Sequence, residues 1–206
     1  MLSRPDWRLS ATQWRARLDQ WRSHYDPQAA MDLSITLDAR PVAGNAALFA
    51  PLEAQMQALG GDERLLHAMA VAVLQFESPL SFFGQLRQGE RGLDIKRGGI
   101  FPVVHGLRCL ALKHGIAQRS SFARCEALAD CGGLDAPLAR DLAQALAVLQ
   151  RLRLDAQLAA LDAGGVPDNL LHPDTLRRLD RELLRDALRV VKTFRQHVRI
   201  AFHLSD

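Results

Sequence analysis

Apolar residues in this chain recur mostly at spacings of three and four, which predicts helices along most of its length. Ser10 is placed to cap a helix running to about His24, with Trp14, Leu18 and Trp21 on one stripe and Trp7 one heptad earlier. A second helix is predicted over residues 46–59, ended by Gly60-Gly61, and Asp62 caps a third that runs to about Glu77. Within it "LLHAMAVAVLQF" is apolar nearly all round, the mark of a helix central to a bundle. Residues 78–91 read as a loop or broken helix, and Pro102 to His114 as a helix with proline in its first turn and Gly115 beyond its end. Ser121 caps a short helix that Gly132-Gly133 terminates, and Asp135 begins a long one ended by Gly164-Gly165. A last helix is expected from about Pro173 to Phe202, with Leu176, Leu179, Leu183, Leu188, Val191, Phe194 and Val198 on its inner stripe.

One stretch breaks the pattern. In "MDLSITLDARPVAGN" Leu33, Ile35 and Leu37 alternate with Ser34, Thr36 and Asp38, which predicts a half-buried strand closed by Pro41 and Gly44. A lone strand leaves its hydrogen-bonding edges unpaired. Its partner is then expected either in a second copy of the chain, as a homodimer, or in a sheet that lies outside this sequence. The expected architecture is mainly α: a short α/β remnant of one helix and one strand over residues 1–45, then an antiparallel helical bundle over residues 46–206.

With 206 residues, 48% hydrophobic and 24% charged, the chain can bury a substantial core. The formal charge of +3 is small and cations alternate with acids, so no basic stripe points to nucleic acid. No apolar run suits a membrane span, and Trp7, Arg8, Arg15 and Arg17 occupy the place of a signal-peptide core. The cysteines Cys109, Cys125 and Cys131 are odd in number and lack metal spacing, so reduced thiols in a cytoplasmic protein are expected.

No Walker loop, Cys-x-x-Cys pair, His-Glu-x-x-His pair or nucleophile elbow appears. The strongest chemical candidate is "LDIKRGGI". Lys96 and Arg97 supply charge, Gly98 and Gly99 allow close backbone approach, and the helix start at Pro102 would favour an anion. Arg108 lies two turns along and is expected to face the same side as Phe101 and His105. Asp38, on the polar face of the predicted strand, is a candidate metal carboxylate, or else a loop cap or the salt-bridge partner of Arg40. Asp168 and Asn169 in "GGVPDNLLHPDTL" suit side-chain turns between two helices.

Taken together, "RPDWRLS", "LDARPVAGN", "LDIKRGGI", "LRCLALKHGI", "LRLDAQ" and "PDN" resemble, in order, a bacterial nucleotidyltransferase family related to the protein-PII uridylyltransferases. Members of that family often follow cyclic-nucleotide-binding and CBS domains. The resemblance implies that residues 1–45 end a polymerase-β-like nucleotidyltransferase domain and that the rest is its helical substrate-binding domain. It also implies that Asp38 serves Mg²⁺ and that Lys96, Arg97, Gly98, Gly99 and Arg108 meet a nucleotide or substrate.

The family's Gly-Ser turn and paired aspartates are not in this sequence, Asn45 replaces the usual Asp, and "LDAQ" lacks a His common before its Gln. The expected function is therefore the C-terminal substrate-binding part of a uridylyl- or adenylyltransferase-like enzyme, inactive alone. Its implied partners are a nucleoside triphosphate, a protein or small-molecule acceptor, and upstream regulatory domains. The alternative is a non-catalytic helical interaction or dimerisation module in signalling.

Overall fold

The first helix forms where its capping signals place it. In the computed structural model, which describes residues 5–81, 85–87, 89 and 92–205, α1 spans Ala11–Ser23. Ser10 and Gln13 close a reciprocal capping box at its start. Leu18 and Trp21 are buried along the expected stripe, and the rings of Trp7, Trp14 and Trp21 pack in series, tilted and then edge-on, at 5.7 and 6.2 Å. Ring contacts of this kind add to the area they bury.

The expected strand is a helix. Residues Pro27–Thr36 form α2, capped by Asp26, whose carboxylate accepts from the Ala29 amide, with Pro27 in the first turn. The period-two pattern misleads because two polar residues hide their hydroxyls. Ser34 Oγ donates to the Ala30 carbonyl at 2.7 Å and Thr36 Oγ1 to that of Asp32 at 2.8 Å, so both lie buried at 8% exposure. Leu33 is fully buried while Ile35, on the supposed apolar face, is 41% exposed. The argument that an orphan strand requires a missing sheet or a second copy falls with it.

The remaining helices are α3 (Ala50–Ala58), α4 (Glu63–Leu74), α5 (Phe101–Lys113), α6 (Ser121–Asp130), α7 (Ala136–Asp162) and α8 (Arg178–Ala201). Asp62 caps α4 and Asp135 caps α7 through their side chains, as their positions predict. Gly115, Gly132 and Gly164 end α5, α6 and α7 with φ near +70°, the left-handed conformation that glycine adopts without strain. The core lies between α4, α5, α7 and α8, around Met69, Val73, Leu107, Leu110, Leu146, Leu149 and Phe194. Leu18, Trp21 and Leu33 of α1 and α2 join the same apolar cluster. The fold is a mainly α bundle.

The start of the last helix differs from expectation. The last helix begins at Arg178, because Pro173–Thr175 form a separate 3₁₀ turn after a short strand. Leu179 is accordingly 67% exposed, and Leu184 takes the buried place. The only sheet among the described residues is two residues wide: β1 (Leu93–Asp94) pairs antiparallel with β2 (Leu170–Leu171), in the register Leu93 with Leu171 and Asp94 with Leu170.

Candidate functional site

The β1–β2 ladder joins stretches that are far apart in sequence. "LDIKRGG" leaves β1 as "PDN" enters β2, and the Ile95 amide donates to the Asn169 carbonyl at 3.0 Å. The third stretch, "LRLDAQ", comes in from α7: Gln157 Nε2 donates to the Asp168 carbonyl at 2.8 Å. Asp168 Oδ1 accepts from the Leu170 amide at 2.9 Å, the side-chain turn its sequence suggests. Asn169 Oδ1 is buried and has no hydrogen-bond partner among the described residues.

The helix start at this end lies earlier than Pro102. Residues Lys96–Ile100 form a π-turn in which the Phe101 amide donates to the Lys96 carbonyl, so helical backbone runs unbroken from Ile95 into α5. The amide of Phe101 is paired within this turn, and the anion site expected beside Pro102 is not open there. Asp94 caps the true start: its Oδ1 accepts from the Arg97 amide at 2.9 Å and its Oδ2 lies 3.7 Å from Arg97 Nε. Lys96 and Arg97 are exposed, and the Arg97 guanidinium sits 5.6 Å above the Phe76 ring.

Gly98 and Gly99 are buried and serve packing. A Cβ on Gly98 would lie 2.3 Å from Pro79 Cγ. One on Gly99 would lie 3.2 Å from Leu149 Cδ1 and 3.4 Å from Leu188 Cδ2. The missing side chains let the π-turn press against the Pro79 turn and against α7 and α8. The close approach that the sequence suggests is real, but its partner is the protein.

Arg108 faces the same side of α5 as Phe101 and His105, as expected. Phe101 and His105 stack at 5.2 Å, and Phe76 meets Phe101 edge-on at 5.5 Å. A continuous line of contacts therefore leads from Arg97 through Phe76, Phe101 and His105 to Arg108. His105 Nε2 donates to the Met69 carbonyl at 2.9 Å, which leaves Nδ1 to accept from Arg108 Nη1 at 3.3 Å. Burial, with the nearby Arg108 charge, pushes the His105 pKa down to about 4, so the ring is neutral and this tautomer holds.

Asp38 is the far end of that line, and Lys96 and Arg97 are about eleven residues, or roughly 16 Å of helix, away from Arg108. Arg108 donates to Asp38 Oδ2 from Nε at 3.0 Å and from Nη2 at 2.6 Å, and Arg124 Nη2 donates to Oδ1 at 2.5 Å. Burial by itself raises the Asp38 pKa, but hydrogen bonds and charge from Arg108 and Arg124 outweigh it and hold the carboxyl below its usual range. Both oxygens are thus engaged by guanidinium groups. Among the described residues no group of three or more His, Cys, Asp or Glu side chains could hold a metal. Asp38 does not fit a Mg²⁺ ligand in this arrangement; its partners are arginines, although not the neighbouring Arg40. Arg124 was missed by reading the sequence because it lies 86 residues from Asp38, on a separate helix.

Residues 63–202 match the family described as putative nucleotidyltransferase substrate binding domain, and the chain belongs to that family. Neither the curated proteins nor the solved structures contain a significant match to it. Among the described residues no helix is long and apolar enough to cross a membrane.

Proposed function

We propose that the chain is the substrate-binding part of a uridylyl- or adenylyltransferase-like enzyme, and that its substrate surface is the end of the bundle built by β1, β2 and the π-turn. One observation carries this reading: "LDIKRGG", "LRLDAQ" and "PDN" meet there through backbone ladder bonds and the Gln157–Asp168 contact. Lys96 and Arg97 are exposed cations suited to the phosphates of a nucleoside triphosphate, and Asn169 Oδ1 is a buried acceptor that a ligand donor or a water would satisfy. Gly98 and Gly99 hold this surface in place and do not touch the ligand. Magnesium and the phosphoryl-type chemistry belong to the catalytic domain that such a module serves, with Asp38 excluded from the metal by its arginines.

The test is a titration of the chain with Mg²⁺-ATP and Mg²⁺-UTP, followed by amide chemical shifts. Shifts concentrated in residues 93–97 and 168–171 support the reading. Absence of binding by either nucleotide, or shifts confined elsewhere, overturns it.

A second reading, a helical interaction module, has its own support. Leu154, Leu158 and Leu161 lie at spacings of four and three on α7 and are 54%, 50% and 55% exposed, an apolar stripe left uncovered by α8. Light scattering separates the two readings, because a dimer that Leu158→Glu dissolves favours the module.

A further inference from the structure

A second polar site lies away from that surface, between α3, α5 and the entry to α6. A cavity of about 50 Å³ there is walled by Glu53, Met56, Arg108, Ile116, Arg119 and Arg124. A water needs about 10–15 Å³ on this scale, so the space holds several waters or one tetrahedral oxyanion. Three guanidinium groups line or adjoin it against two carboxylates, Asp38 and Glu53, which leaves one positive charge uncompensated.

Hydrogen-bond bookkeeping locates the excess. Arg108 uses all three nitrogens, on Asp38 and His105. Arg119 gives Nε to the Ala39 carbonyl at 3.1 Å and Nη2 to Glu53 at 2.5 Å. Arg124 is only 4% exposed; its Nε donates to the Gln118 carbonyl at 2.8 Å and its Nη2 to Asp38. Its Nη1 is buried with no partner among the described residues. A guanidinium carries five donors, and a buried charged donor left unpaired is costly. The Asp38 carboxylate is already engaged by Arg108 and Arg124, whereas a tetrahedral oxyanion in the cavity presents acceptors in several directions.

We propose that this cavity is a binding site for a phosphate-type oxyanion, held by Arg124 and Arg119 beside the Asp38 ion pair. The site is independent of the nucleotide surface at Lys96 and Arg97. Its ligand is inorganic phosphate or the phosphoryl end of a larger molecule, since both present the same oxygens.

The experiment is ³¹P line broadening of inorganic phosphate by the full chain, at constant ionic strength set with chloride. Saturable binding is expected in the native protein and is lost in Arg124→Gln. Arg119→Gln, whose side chain is a third exposed and less critical to folding, weakens it about tenfold, the value of one charge-assisted contact. The double variant Lys96→Ala/Arg97→Ala leaves it unchanged. Added ATP that displaces phosphate assigns the pocket to a phosphorylated ligand; ATP that does not leaves it to the free ion. The proposal is overturned if native protein shows no saturable binding, as it would if only water fills the cavity. It is equally overturned if the affinity survives Arg119→Gln together with Arg124→Gln. Neither result bears on nucleotide binding at residues 93–97.

Discussion

Replacing Asp38 by Asn tests the polar link that ties the segment after α2 to the bundle. The substitution preserves shape and removes charge. One amide oxygen can still accept from Arg108, but the other oxygen becomes an NH₂ that points donor to donor at a guanidinium. Breaking one side of a buried pair costs about 3–5 kcal/mol. The Asp38 side chain is 27% exposed, so water recovers part of this and the expected loss is about 2–4 kcal/mol. For a chain of this size that lowers Tm by roughly 5–15 °C. Urea unfolding measures the loss directly, and a cycle with Arg124→Gln should return a coupling of at least about 1 kcal/mol. The sign of the pH dependence is fixed by the direction of the shift. Because the folded carboxyl titrates below its unfolded value of 3.8, its contribution is present above pH 4 and is lost as pH falls through the folded value. The Asn variant lacks that acid limb. A loss below about 0.5 kcal/mol, within the range of ordinary surface changes, or zero coupling to Arg124 would refute the reasoning.

The packing of the glycines, His105 and the cysteines sets further expectations. Gly106→Ala places a Cβ 2.6 Å from Cε1 of the fully buried Phe194, and Gly98→Ala places one 2.3 Å from Pro79 Cγ; each should cost about 1–3 kcal/mol in denaturant unfolding. Gly99→Ala meets only leucine tips at 3.2–3.4 Å and should cost less than either. His105 is neutral when folded, with its pKa pushed down to about 4, so stability should fall as pH drops from 6.5 towards 4, by at most about 3 kcal/mol. NMR should find its ring shifts constant above pH 5, and His105→Gln should flatten that limb. A thiol reagent should modify Cys131 alone in the native protein, because Cys109 and Cys125 are buried and their pKa values are raised to about 12 and about 11 by burial. All three cysteines should react after unfolding.

The helices were readable because their caps and their apolar periods agree. Ser10, Asp62, Asp135, Gly115, Gly132 and Gly164 each mark an end that the structure keeps. Residues 31–38 were misread because six residues can satisfy a two-residue period by chance. The deciding signal, Asp26 followed by Pro27, lay just upstream, and serine and threonine hydroxyls can vanish into the helix backbone. The ladder of β1 and β2 is two residues long and leaves no periodicity to detect. Its consequence, that the Lys-Arg-Gly-Gly stretch meets "PDN", is a long-range contact that the order of residues does not state. The same applies to Asp38. Its chemistry as a carboxylate was visible, whereas its partners Arg108 and Arg124 depend on how α5 and α6 pack. The glycine pair was read as a place where a ligand nears the backbone, whereas the groups that press on it are Pro79, Leu149 and Leu188, and a sequence does not say which comes near.

The substrate-surface claim is tested most directly by equilibrium dialysis of radiolabelled Mg²⁺-UTP and Mg²⁺-ATP against the native chain and the Lys96→Ala/Arg97→Ala variant. The account predicts saturable binding of at least one nucleotide, weakened about tenfold or more in the variant with Tm unchanged, since both side chains are exposed. Equal affinity in the two proteins, or no binding to the native chain, would contradict it.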